Sequence, residues 1–147
     1  MSETLLALLF ACVSGSAMAV QGTLNSALGK VLGLLQASWV VHLTGLLVLT
    51  ILIIGARSSW PAIPALKTAR WYTLLGGPLN VVIVYLVIIS IPRAGVARAT
   101  TAIIVGQVAT AGIIDHFGLF GVKPVAFTLI KGLGLGLLAV GARLLLG

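Results

Sequence analysis

Charge is so sparse in this chain that its few ionic residues mark off apolar lengths suited to a bilayer. Between Glu3 and Lys30 runs TLLALLFACVSGSAMAVQGTLNSALG, 26 residues without a charge, and between Lys30 and Arg57 runs VLGLLQASWVVHLTGLLVLTILIIGA, another 26. About 20 helical residues cross a hydrocarbon core, so each run suffices. A third run covers Trp71 to Pro92, and a fourth, Ala99 to Ile114, has 16 residues. At 1.5 Å per residue the fourth reaches only about 24 Å, so it must recruit Arg98 as a snorkelling end or include Asp115. A fifth is interrupted by Lys131. The expected spans are 4–28, 33–55, 71–91, 98–115 and 124–146 in a single transmembrane domain, 1–147. The fold class is all-α, a polytopic membrane protein with about five transmembrane helices.

Composition agrees. Of 147 residues, 60% are hydrophobic and 7% charged, against about 25% charged in soluble domains. The net charge of +7 rests on nine scattered Lys and Arg, with no dense basic cluster to track a phosphate backbone. Nucleic acid is therefore not an expected partner, and the lipid bilayer is. The single cysteine, Cys12, excludes an intrachain disulfide. Ser16 to Ala19, SAMA, has the small-residue pattern of a signal cleavage site, but the residues before it carry Glu3 and no Lys or Arg, so we expect the segment to be retained as a span. Glu3 itself is expected at the interface. The longest connection, RSSWPAIPALKTAR, has two prolines and flanking bases, with Trp60 and Trp71 placed to anchor at headgroups.

Orientation is weakly specified. Arg57, Lys67, Arg70, Lys123 and, if it snorkels outward, Lys131 fall on the side of the N-terminus; Lys30, Arg93, Arg98 and Arg143 fall on the other. The positive-inside rule needs an excess to fix one topology, and a near balance is what a chain inserted both ways carries. One or two well-placed charges could equally decide. Five spans cannot divide into the two equal inverted repeats of many transporters; two oppositely inserted copies would supply the inverted pair.

Polar residues within the spans are the candidates for function, because an unsatisfied amide or hydroxyl facing lipid costs several kcal/mol. On the first span Ser14, Met18, Gln21 and Asn25 recur at helical intervals; the second carries Gln36, Trp39 and His42, the third Asn80 and Tyr85, the fourth Thr100, Gln107 and Thr110. As substrate-pathway candidates we take Gln21, Asn25, Gln36, Trp39, His42, Asn80, Tyr85, Gln107 and Thr110. Interhelical hydrogen bonding is the alternative for any one of them. His42 is deep in its run and by location the better proton-relay candidate. Gly15 with Ala19, and Gly132 with Gly136 and Ala139, offer small-residue stripes for helix packing.

Asp115 and His116 stand side by side in GQVATAGIIDHFGLFG, Gly106 to Gly121. Intramembrane ionisable residues are usually functional, but these precede a glycine at which a helix normally stops. They are coupling or gating candidates; structurally, Asp115 is expected to cap or salt-bridge the following turn, with Lys123 as a partner, and His116 to lie at the interface. Two histidines, one aspartate and a lipid-facing cysteine supply neither a metal motif nor a nucleophile with its base. No catalytic residue, cofactor or metal is expected, and the chain is not read as an enzyme.

The five short spans, QGTLNSALG closing the first, the 106–121 stretch closing the fourth and the glycine-rich last helix together resemble the YdcZ-like family of small inner-membrane proteins, over essentially the whole chain. That family is placed in the drug/metabolite transporter superfamily with the small multidrug resistance and EamA-type proteins. The resemblance implies packing of that kind and a bacterial inner-membrane transporter of a small-molecule solute, assembled as a homodimer, antiparallel in our reading, or paired with a homologous subunit. Small multidrug transporters use a carboxylate within the first helix, and this one has none after Glu3; their proton-for-cation mechanism is not carried over. A non-transporting structural or regulatory membrane subunit is the alternative.

Overall fold

A computed structural model describes residues 3–61 and 63–146, with the side chains of Glu3, Ile63, Ala65, Leu66 and Leu146 outside the description. The expectation for the Glu3 carboxylate thus falls outside the described residues. Every regular element among them is helical: α1(Glu3–Leu32), α2(Leu34–Gly55), the short α3(Ile63–Thr68), α4(Gly76–Ala94) extended at its start by a 3-10 turn over Trp71–Leu75, α5(Val96–Phe117), a 3-10 turn over Leu119–Gly121, and α6(Leu129–Leu146). Four helical lengths are long and apolar enough to cross a membrane: Thr4–Leu32, Leu34–Gly55, Trp71–Ala94 and Val96–Phe117. The last helix starts at Leu129, after residues 122–128, which carry no regular secondary structure. Its 18 residues reach about 27 Å.

The chain divides into two compact units, Met1–Pro92 and Arg93–Gly147. In the first, α1 and α2 are separated by Gly33 alone, at φ 90° and ψ 164°. Only glycine enters that region without strain, and it reverses the chain while continuing the helical bonding: Gly33 N–H donates to Gly29 O, and Gly33 O accepts from Ala37 N–H, both at 3.0 Å. Gly95, before α5, has the same kind of backbone at φ 86° and ψ 158°, and its carbonyl accepts from Ala99 N–H at 3.0 Å.

The core of the first unit lies where α4 meets α1 and α2. Ala37, Val84 and Ile88 are buried, with Leu28, Leu34 and Val41 packed around them. Small side chains on α1 permit the approach. A Cβ at Gly22 would meet Val87 and Ile91 at 3.0 and 3.1 Å, and one at Gly29 would overlap Ile88. Buried Asn25 and Ser26 lie between these glycines on the same helical face. Lipid favours this kind of packing, since in the absence of a hydrophobic drive helices associate through close van der Waals contact. Hydroxyls elsewhere are satisfied locally: Ser16, Thr23, Thr44, Ser90 and Thr101 each donate to the carbonyl four residues earlier, which needs no neighbouring helix.

In the second unit α5 packs on α6. Phe127, in the irregular link over residues 122–128, is the spacer. Its ring lies against Gly112 of α5 and Gly132 of α6, where added Cβ atoms would meet it at 2.9 and 3.6 Å.

Candidate functional site

Two polar arrangements lie in the spans, one in each unit. The first is a chain of hydrogen bonds across α2 and α4. His42 Nδ1 is 2.7 Å from the carbonyl oxygen of Ser38, and its Nε2 is 3.1 Å from Asn80 Nδ2. A carbonyl only accepts, so Nδ1 carries the ring hydrogen; the neutral ring then has a bare Nε2 that accepts from the Asn80 amide. His42 is half-buried and Asn80 exposed. Neither residue's place on the sequence predicts the other, because 38 positions separate them. Tyr85 is half-buried on the same helix as Asn80.

The second is a cleft of about 350 Å³ between α5 and α6, with walls of Val108, Ala111, Gly112, Phe127, Gly134 and Leu135 and two charged groups, Asp115 and Lys131. Asp115 is half-buried. The helix ends here as the glycine signal requires: Gly118 takes the left-handed conformation at φ 60° and ψ 36°. The backbone, not the carboxylate, satisfies the end. Asp115 O accepts from Val125 N–H at 2.8 Å and from Gly118 N–H at 3.4 Å. His116 Nδ1 accepts from Phe127 N–H at 3.1 Å, tying the irregular link to α5. His116 is exposed and stacks edge-on to Phe117 with centroids 4.8 Å apart.

Among the described residues the Asp115 carboxylate forms no ion pair with Lys123 or Lys131. Lys131 Nζ instead donates to Ala126 O at 3.0 Å, which draws this amine toward the start of α6. Each charge sits at the wrong end of its own helix: Asp115 is in the last turn of α5, where the backbone dipole favours cations, and Lys131 is in the first turn of α6, where it favours anions. Neither is placed to stabilise the helix that carries it. The cleft thus offers an acidic and a basic group over an apolar floor.

The remaining candidates do not converge on either arrangement. Asn25 is buried at 7% exposure, on the α1 face that bears Gly22 and Gly29. Gln21, Gln36, Gln107 and Thr110 are exposed, and Trp39 is 65% exposed. The three glutamine side chains make no hydrogen bond among the described residues. Gly15 and Gly136 face open space, whereas Gly132 contacts Phe127. Lys131 and Phe127 were not among the candidate site residues; the lysine's position inside an apolar run was the available signal. The Gly22–Asn25–Ser26–Gly29 face was readable from its spacing of three, one and three.

Apolar helices of membrane-crossing length, with polar groups confined to a few positions on them, define a multi-pass membrane protein. The family model described as "Putative inner membrane exporter, YdcZ" matches residues 6–144, and the chain belongs to this family. It is a multi-pass protein of the inner membrane, in a family described as exporters. Neither the curated proteins nor the solved structures include a match.

Proposed function

We propose that this chain exports a small solute by alternating access, as an antiparallel dimer with the solute pathway between oppositely inserted copies. The observation that carries the reading is the set of exposed, unpartnered glutamines, Gln21, Gln36 and Gln107, on otherwise apolar spans. Left against lipid, each would forgo the hydrogen bonds its amide makes in water, at several kcal/mol apiece. A second copy enclosing a wet pathway removes that cost. Gln107 lies 11 residues into α5, about 16 Å along the helix and so near mid-membrane, with Thr110 one turn on.

Three further features support it. The Lys131 amine reaches toward the 122–128 link, which leaves the bases five to four across the two faces, too even to fix one insertion. Gly15 and Gly136 leave small, open patches on α1 and α6 for close approach. With α6 as a fifth span, a single chain cannot hold its own inverted repeat, and a second copy provides it. The drug/metabolite superfamily builds transporters on such inverted units, and that likeness adds to the reading.

The experiment is efflux from proteoliposomes loaded with a panel of small amphipathic cations, zwitterions and anions. At least one solute should leave faster than from protein-free vesicles, and Gln107→Leu should slow it at least tenfold while the protein still inserts and assembles, since one interhelical bond is worth only about 0.6 kcal/mol. No efflux of any solute favours a structural or regulatory subunit, and an unimpaired Gln107→Leu variant removes this glutamine from the pathway.

A further inference from the structure

We propose that His42 Nε2 is a proton-binding site within the membrane, and that the Asn80 amide rotates to match its protonation state, making this pair the coupling-ion site of the exporter. The inference rests on the export reading for its purpose but on its own geometry for its chemistry. Nδ1 faces the Ser38 carbonyl at 2.7 Å, which can only accept, so this nitrogen keeps its hydrogen whether the ring is neutral or charged. Nε2 is therefore the nitrogen that gains and loses a proton. Its sole partner among the described residues, 3.1 Å away, is a side-chain amide, which offers a donor at one end and an acceptor at the other.

In the neutral ring, Asn80 Nδ2–H donates to bare Nε2. When Nε2 takes a proton from water, the amide turns by half a revolution and Nε2–H donates to Asn80 Oδ1. Both states thus keep two hydrogen bonds, one at each ring nitrogen, and the loss of the proton to water reverses the turn. An aspartate would instead hold the proton by charge. An amide responds without adding a charge of its own.

The surroundings leave the task to this ring. α2 contains no Asp, Glu, Lys or Arg. α1 carries Lys30 in its last turn and Glu3 at its start, and α4 carries Arg93 in its last turn; the other titratable side chains on these helices are Cys12 and Tyr85. None of them pairs with His42 among the described residues. The ring stands eight residues into α2, about 12 Å from the helix start, deep enough that an ionisable group there calls for a use. Asn80, on the exposed side of the pair, is where water in a pathway would reach Nε2.

The test is nitrogen-15 spectroscopy of the full chain in lipid bilayers with labelled histidine, the His42 signals being those missing from His42→Gln. At alkaline pH, Nδ1 should carry the hydrogen and Nε2 should be bare; on acidification Nε2 alone should gain a proton. Asn80→Leu should weaken proton binding at Nε2 about tenfold, because a bond to the charged ring is worth more than one to the neutral ring. A bare Nδ1, an Nε2 that stays bare on acidification, or an Asn80→Leu variant with unchanged proton affinity would overturn the site. These spectra need no solute, so that failure leaves the export reading untouched, and absent efflux leaves the proton site untouched.

Discussion

Asp115 shows how one residue divides its work between backbone and side chain. Its carbonyl receives Val125 N–H at 2.8 Å and so closes the end of α5, while its carboxylate lines the α5–α6 cleft with Lys131. The sequence expectation of a cap or a salt bridge to Lys123 assigned the end of the helix to the wrong atoms. A glycine after an apolar run announces where a helix stops, but only the path of residues 122–128 decides which acceptor meets the orphan amides. It follows that Asp115→Asn and Asp115→Leu should both fold, with stability within about 0.5 kcal/mol of the parent, because neither touches the carbonyl. Both should lower efflux at least tenfold in the vesicle assay, since the cleft loses its only acidic group. A large drop in melting temperature for Asp115→Leu, with efflux per folded molecule retained, would return the carboxylate to a structural role.

At the scale of elements, α1 and α4 meet through glycine and isoleucine. Gly29 leaves no room for a Cβ beside Ile88, which is 1% exposed. Gly29→Ala should therefore destabilise the protein by about 1–3 kcal/mol, the usual cost of overpacking, and adding Ile88→Ala should recover part of that loss, a coupling that thermal melts of the two single variants and the double variant would measure. Equal losses that simply add would mean the helices shift apart freely. Much at this scale was legible beforehand. Charge-free runs exposed the helices, and Gly22, Asn25, Ser26 and Gly29 carry the spacing of a packing face. What was not legible is which helix lies on that face, or that His42 meets Asn80, because helical periodicity orients a side chain about its own axis and says nothing of the neighbour. The irregular link also escaped notice. Residues 124–128 read as the start of the last span, but the helix begins only at Leu129, after a link whose Phe127 N–H is tethered to His116.

For the molecule as a whole, the apolar surface that a single chain exposes is ordinary for a protein dissolved in lipid, whereas Gln21, Gln36 and Gln107 on that surface are not. A second, oppositely inserted copy would cover them. Composition and charge-free length were sufficient to assign a multi-pass membrane protein; the near balance of bases raised dual insertion, which depends on how the chain enters the bilayer and so is not written in one folded copy. The most direct test is sidedness. In a Cys12→Ser background, a cysteine introduced at Leu145 should react with an impermeant thiol reagent in comparable fractions from the outside of intact cells and, after permeabilisation, from the inside. Two or three added lysines at one end should shift that ratio strongly to one side. Labelling of the unbiased chain from one side only would contradict an antiparallel pair of this protein.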